Sequence, residues 1–290
     1  MLPRAPAGHG IIHPMPDFGS TIRSRANPLL KRLHALKRRS GREPDLALLE
    51  GTRLVREAAE AAVELLEVAA STRPDPERDA LVALLEHGGA RVHRVEPGLL
   101  QALSELDTGP GLVAIARRPR LAETTALEPD ALVLVAAGVQ NPGNLGALLR
   151  TAEAAGAAAA LLGPGCADPF GWKSLRGAMG SAFRLPLCRF EAIPPLLERV
   201  RASGLRLVAA DARGGTPWNE VDYRGATALA VGGEAGGLPA ALLNAAERRV
   251  HIPMPAPMES LNVAVAAGVL LFEAARQRRA PASSGGPCGP

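Results

Sequence analysis

Short apolar runs recur along this chain, and most are followed by a stretch of helical period. An apolar run of roughly four to eight residues bounded by Gly, Pro or charged residues suits a strand buried on both faces. Strands that alternate with helices need crossovers lying over the sheet, which gives an α/β fold with a mainly parallel sheet. Two such series are present. The first has an apolar run at 46–49, a helix over 52–63, a strand over 65–70 and a helix over 77–87. It ends with a strand over 90–95, a short helix over 97–105 and a strand over 111–117. The second predicts strands at 131–137, 158–162, 205–210, 227–232 and 249–253. Its helices are predicted at 144–156, 172–179, 191–203, 238–246 and 260–278.

Between the two series, residues 119–130 carry prolines and charges without a period and read as a linker. The chain therefore divides into a small α/β domain over 21–118 and a larger one over 131–279. Residues 1–20, rich in Pro and Gly, are expected to be a disordered leader, and 280–290 a flexible tail. Aromatics make up only 3% of the chain, so a core drawn from its 47% hydrophobic residues rests on Ala, Leu and Val.

The charge of +4 is modest, but its distribution is uneven. From Arg23 to Arg42 there are eight Lys or Arg residues and no acid: Arg23, Arg25, Lys31, Arg32, Lys37, Arg38, Arg39 and Arg42. Leu29, Leu33 and Leu36 form a helical stripe through this run. Such a run is either a solvated helix face or a surface that contacts phosphates. The three cysteines, Cys166, Cys188 and Cys288, are scattered without CxxC spacing, which fits a reducing, cytoplasmic compartment. The histidines lack metal-ligand spacing, so no metal is expected. No apolar run has the length of a membrane span, and the N-terminus lacks the apolar core of a signal peptide.

Three segments stand where a strand gives way to a helix. Asn141-Pro-Gly-Asn-Leu-Gly-Ala-Leu-Leu-Arg150 opens a helix, with Asn144 as a candidate cap. Arg150 lies six residues further, about 9 Å along the axis, and its side chain can lean back toward the helix start. It is either a phosphate clamp or a plain surface arginine. Val231-Gly-Gly-Glu-Ala-Gly-Gly-Leu-Pro239 has four glycines in six residues, which brings backbone close to a ligand. It is not the dinucleotide fingerprint. Glu234 within it is a catalytic carboxylate, a ribose ligand or a solvated loop acid. In the third segment, His251-Ile-Pro-Met leads through a Pro-rich loop to Ser260-Leu-Asn-Val-Ala-Val265, with Ser260 as a candidate cap. The helix behind it is apolar over most of its circumference, as a helix buried on several sides is.

Together these segments resemble the three motifs of the SpoU (TrmH) family of RNA 2′-O-methyltransferases in the SPOUT superfamily. The first motif is matched by Asn144, Gly146, Arg150, Ala152 and Gly156. The second is matched by Gly232, Glu234, Gly237 and Leu238. The third is matched by Ile252, Pro253, Met254, Ser260, Leu261, Asn262, Val263, Val265 and Ala266. Lys173–Pro186 resembles a further family segment, with Ala178 and Ser181 departing from it. Gly233 and Gly143 stand where relatives carry polar side chains. The N-terminal half, through Asn27–Leu36 and Leu48–Gly51, resembles the L30e-like substrate-binding domain fused to this family.

The resemblance implies an L30e-like α/β sandwich followed by a SPOUT domain with a C-terminal trefoil knot, and a homodimer with its active site at the subunit interface. It implies transfer of a methyl group from S-adenosylmethionine to a ribose 2′-hydroxyl of a structured RNA, ribosomal RNA being favoured over tRNA. Arg150, Asn144, Glu234, Ser260 and Asn262 would then serve catalysis. Gly232, Gly237, Ile252, Met254 and Leu261 would cradle the cofactor. The Arg23–Arg42 run would dock the RNA. Methylation of a base, or a non-catalytic RNA-binding assembly role, are the alternatives.

Overall fold

A computed structural model describes residues 21–38, 44–104, 109–122, 127–234, 236–258 and 260–279. The expected leader and tail, part of the expected linker, and Arg39, Arg42 and Cys288 lie outside the described residues.

The N-terminal part runs α1 (Pro28–Arg38), β1 (Leu46–Glu50), α2 (Thr52–Glu60), β2 (Leu65–Ser71) and α3 (Pro76–His87). It continues with β3 (Arg91–Val95), α4 (Pro97–Gln101) and β4 (Leu112–Arg117). Its sheet has the order β1-β4-β2-β3, with β4 antiparallel to both neighbours and β2 parallel to β3. Successive strand residues point to opposite faces. Leu49, Val68, Ala70, Leu112 and Ala114 accordingly meet Leu54 and Val55 of α2 and Leu81 and Val82 of α3. Their neighbours Leu48, Ala69, Val113 and Ile115 meet Leu29, Leu30, Leu33 and Leu36 of α1 and Leu100 of α4. The leucine stripe of α1 is thus the buried face of a sandwich, and its cations lie around the rest of the helix.

The larger part runs β5 (Leu132–Ala137), α5 (Pro142–Ala154), β6 (Ala159–Leu162), α6 (Trp172–Ala178), α7 (Ser181–Arg184) and β7 (Leu187–Arg189). It goes on through α8 (Ile193–Ala202), β8 (Arg206–Ala210), β9 (Thr216–Pro217), a single 3-10 turn at Trp218–Glu220 and β10 (Thr227–Gly232). The last elements are α9 (Ala240–Ala245), β11 (Arg248–His251) and α10 (Val263–Arg279). The sheet order is β7-β6-β5-β10-β8-β11-β9, and every pairing is parallel. Leu132, Leu134 and Ala136 share one core with α5 and α10, while Val133, Val135 and Ala137 share the other with α8 and α9. Both faces are covered, as continuous apolar strands require.

Several element bounds differ from expectation for local reasons. The helix predicted to 63 ends at Glu60, since Ala62 takes φ 55. The helix predicted to 105 ends at Gln101. The helix predicted from 144 starts at Pro142, and that predicted from 260 starts at Val263. β7, β9 and α7 have no counterpart among the predicted elements. Strands of two or three residues carry no period, and α7 is cut from α6 by Met179 at φ 49 and Gly180 at φ 92.

Candidate active site

The two central strands, β5 and β10, pair in register so that Ala137 lies opposite Gly232 at their carboxyl ends. From β5 the chain steps outward to β6 and β7, whereas β8, β11 and β9 lie on the far side of β10. The order therefore reverses between β5 and β10, and such a reversal opens a crevice beyond the strand ends in which α/β proteins bind ligands.

From β5 the chain enters α5 through Gln140-Asn141-Pro142. Asn141, not Asn144, is the cap: its Oδ1 accepts from the N–H of Gly143 at 2.8 Å and of Asn144 at 3.2 Å. Pro142 occupies the first helical position, where its fixed φ suits the turn. This frees the Asn144 side chain. Its Nδ2 donates to Glu234 Oε1, and its Oδ1 accepts from Asn262 Nδ2 at 3.1 Å. One amide thus joins all three sequence segments.

The loop after β10 is shaped by contact of backbone with backbone. A Cβ on Gly233 would lie 1.9 Å from the carbonyl oxygen of Gly138, and one on Gly232 would lie 2.1 Å from the carbonyl carbon of Gly237. These glycines therefore let the chain close on itself, rather than only letting a ligand approach. Gly237 at φ 63 completes the turn, and its N–H donates to the Gly233 carbonyl at 2.9 Å. Glu234 is carried outward at the turn, exposed, toward Asn144.

The third segment also has a cap other than the one expected. Asn262 Oδ1 accepts from the N–H of Ala264 at 2.9 Å, so Asn262 caps α10 while its Nδ2 serves Asn144. Ser260 is an exposed loop residue two positions before it.

A cavity of about 590 Å³ opens at the carboxyl ends of β10, β8 and β11, under the start of α10. Gly232, Gly237, Ile252, Met254 and Leu261 all line it, as do Glu234, Ser260 and Asn262. Asn144 is joined to this wall by hydrogen bonds. Arg150 is not among the lining residues. It is exposed, and no hydrogen bond or ion pair to a described residue holds it. Asp211, Ala212, Arg213 and His251 also line the cavity and were missed in the sequence. The Gly214-Gly215 pair just beyond a predicted strand end was the available signal. Asp211 accepts from the N–H and Nε of Arg213, both at 3.1 Å, and His251 Nδ1 is buried without a partner among the described residues.

Of the expected RNA-docking residues, Arg23, Arg25, Lys31, Arg32 and Arg38 are exposed. Arg32 forms an ion pair with Glu67 at 2.5 Å. Lys37 is half-buried: its Nζ donates to the Leu103 carbonyl at 2.6 Å and stands 4.2 Å from the centre of the Trp172 ring. Among the described residues no cluster of His, Cys, Asp or Glu has the geometry of a metal site, and no helix is long and apolar enough to cross a membrane.

Residues 131–272 match the model of the SpoU rRNA Methylase family, and residues 27–114 match an MRM3-like substrate binding domain. A 23S rRNA (guanosine(2553)-2′-O)-methyltransferase, RlmP of Bacillus subtilis (strain 168), is 34% identical over 244 residues, covering 83% of this chain and 92% of that protein. A crystal structure of an RNA 2′-O ribose methyltransferase superposes with a TM-score of 0.78 at 38% identity, covering 88% of this chain and 97% of the other. The AdoMet-bound rRNA methyltransferase of Sinorhizobium meliloti gives 0.79 at 28% identity, over 89% of this chain and 97% of the other. Fold, motif geometry and extended similarity agree, and the chain belongs to the SpoU rRNA methylase family.

Proposed function

We propose that this protein transfers a methyl group from S-adenosylmethionine to a ribose 2′-hydroxyl of 23S ribosomal RNA. The observation that carries the reading is the hydrogen-bonded run Asn262–Asn144–Glu234, which gathers residues from all three motifs beside one cavity at the carboxyl ends of β10, β8 and β11. The solved relative from Sinorhizobium meliloti is described with AdoMet bound, and the relative from Bacillus subtilis as acting on a guanosine of 23S rRNA.

The cavity fits S-adenosylmethionine. Its volume lies within the range of about 300–1,000 Å³ common for small-ligand sites. Apolar Val231, Leu238, Ile252 and Leu270 supply a wall for an adenine, and Asp211 and Glu234 supply acceptors for hydroxyl and ammonium groups. His251 Nδ1, buried without a partner among the described residues, supplies a further polar atom. When bound, the cofactor supplies an activated methyl on a sulfonium.

The chain's own residues orient the hydroxyl and stabilise its developing charge. A ribose hydroxyl is a weak nucleophile and loses its proton near the transition state. The guanidinium of Arg150 binds an RNA phosphate through parallel hydrogen bonds and stabilises charge on the attacking oxygen. Asn144, held from both sides, fixes the position of that oxygen beside the cavity, while Ser260 and Asn262 line the path to it.

The same reading includes a division at 21–118, 119–130 and 131–279, with the first part docking RNA. It also includes a threaded, knotted end around α10 and a homodimer. On α10, Val265 and Phe272 are 55% and 49% exposed and seven residues apart, with Leu261 four residues before Val265. This is an apolar stripe facing outward beside the site, and a second copy would cover it.

Mapping of ribose methylation in 23S rRNA and tRNA from cells with and without the gene tests the assignment. Loss of one 23S ribose methyl is expected. Loss confined to tRNA, or to a base, would overturn it.

A further inference from the structure

We propose that Asp211 holds the ribose of the methyl donor: one of its carboxylate oxygens accepts hydrogen bonds from the ribose hydroxyls, and Arg213 keeps that carboxylate in position. This rests on the S-adenosylmethionine reading above and assigns a residue that lies outside the three sequence motifs. β8 and β10 pair in parallel with Ala209 opposite Ala230, and two residues later the strands reach Asp211 and Gly232. Both line the cavity of about 590 Å³. A glycine-rich turn thus leaves one strand, and an acid ends the strand beside it. Dinucleotide-binding folds use an acid beside a glycine turn to meet a ribose hydroxyl. The same placement arises here without their sequence fingerprint.

Asp211 is fixed by the chain around it. Its N–H donates to the Val250 carbonyl at 2.9 Å, and its own carbonyl accepts from the Gly214 N–H at 3.2 Å. The loop is seated on β11, since a Cβ on Gly215 would lie 2.5 Å from the Arg249 carbonyl oxygen. The Asp211 side chain is only 10% exposed, and its Oδ1 takes both the N–H and the Nε of Arg213. Its Oδ2 has no hydrogen-bond partner among the described residues. A carboxylate oxygen largely removed from water is stabilised when a donor meets it. The other acid lining the cavity, Glu234, is engaged by Asn144.

S-adenosylmethionine offers three kinds of donor: the adenine amino group, the ribose hydroxyls and the ammonium. An ammonium at Asp211 would meet the positive charge that Arg213 already brings to the same carboxylate, and like charges repel. A carboxylate so paired suits a neutral donor. Position separates the remaining two. The methyl must face Asn144, which α5 carries beyond β5, and β8 lies on the other side of β10. The ribose is joined to the sulfonium through one carbon, so its hydroxyls come one strand across from the reacting centre, whereas the adenine amino group is at the far end of the molecule.

The test uses the full-length protein and calorimetry with three ligands: S-adenosylhomocysteine, its 2′,3′-dideoxy form and 5′-methylthioadenosine, which keeps the ribose but lacks the amino acid. The wild type should bind the dideoxy form at least about tenfold more weakly than S-adenosylhomocysteine, the worth of a hydrogen bond to a charged group. Asp211→Ala should lose a similar factor on S-adenosylhomocysteine and on 5′-methylthioadenosine, yet bind the dideoxy form as the wild type does. Arg213→Ala should show a smaller loss on the two ribose ligands and none on the dideoxy form, a pattern that general damage to the loop would not produce. Asp211→Asn, which keeps the size of the side chain, should follow Asp211→Ala in direction. A wild type indifferent to the two hydroxyls would overturn the proposal. So would an Asp211→Ala loss equal on all three ligands, or one confined to S-adenosylhomocysteine, which would put Asp211 at the amino-acid end. A wild type that binds none of the three refutes the methyl-donor reading itself, whereas binding that ignores Asp211 overturns this assignment alone.

Discussion

At the scale of single residues, Asn144 and Asn262 share one hydrogen bond but hold it in different ways. Asn262 also caps α10 through its Oδ1. Asn262→Ala should therefore lose about 1 kcal/mol of stability, the usual worth of such a cap, together with most methyl transfer. Asn262→Asp keeps a capping oxygen but has no N–H to give Asn144. Stability should return in that variant while turnover stays low, and chemical denaturation beside single-turnover kinetics separates the two effects. Arg150 differs again, because no described residue holds it. Arg150→Ala should leave stability within about 0.5 kcal/mol and S-adenosylmethionine binding intact, yet abolish methyl transfer. Normal turnover in Arg150→Ala would remove it from the mechanism. The identity of these residues was legible in the chain because their spacing is tied to strand ends. Their local roles were less so. The run Asn141-Pro-Gly-Asn144 offers two capping amides, and Pro142 at the first helical position selects the earlier one. The glycine density of 232–237 suggests space for a ligand, whereas Gly232 and Gly233 first make space for the opposing backbone, which one sequence does not reveal.

At the scale of elements, buried strands were the easiest to read. The runs 131–137 and 227–232 became β5 and β10, and their register fixes where the site opens. Elements without a local pattern depend on contacts distant in sequence: β9 has only two residues and exists because β11 offers it an edge. The hold on the end of α10 is of the same kind. Gln277 Nε2 donates to the Val221 carbonyl at 2.9 Å, its Oε1 accepts from the Tyr223 N–H at 2.9 Å, and all three residues are buried. Gln277→Ala leaves a buried donor and acceptor without partners, at a cost of about 1–3 kcal/mol for each group. A urea titration should show a lower midpoint with little change in slope. Glu273 supports the same helix end. The Arg276 guanidinium holds its carboxyl below the usual glutamate range, against burial that pushes it up, with help from the Gln277 amide. A depressed folded-state value means stabilisation that is present above the unfolded value of about 4.3 and lost as pH falls through the lower, folded one. Glu273→Gln should therefore be less stable than the wild type at neutral pH. That difference should shrink as pH drops below about 4, followed as thermal midpoints across an acid series. A gap of constant size down to the lowest pH would show that this carboxylate's charge is not what matters.

At the scale of the whole molecule, the domains are bound to one another at the helices that carry the site. Arg184 pairs with Glu153 of α5 at 2.6 Å and also with Glu57 of α2, while Trp172 reaches Glu50 on β1. The N-terminal part is thus fixed against α5, whose first turn presents Asn144. No described residue covers the outward stripe of α10. Val265 and Phe272 lie seven residues apart on the side of α10 away from the core, with exposed Leu261 in the loop just before the helix, while Ala267, Leu270, Leu271 and Ala274 face inward. Half-exposed phenylalanine and valine beside a site are costly in water, and covering them is worth about 25 cal/mol for each Å² removed. A stable dimer needs roughly 800 Å² from each partner, so the stripe would form the apolar centre of such an interface. Placing a charge there leaves the monomer's own core untouched. Val265→Asp/Phe272→Asp should keep the circular dichroism spectrum of the wild type but sediment as a monomer at micromolar concentration. Its methyl transfer should fall with its dimer content, because Leu261, just before the helix, also lines the cavity proposed for the cofactor. If the charged variant stays dimeric, the interface lies elsewhere. If it becomes monomeric with full activity, the site is complete in one chain and the outward face of α10 serves assembly alone.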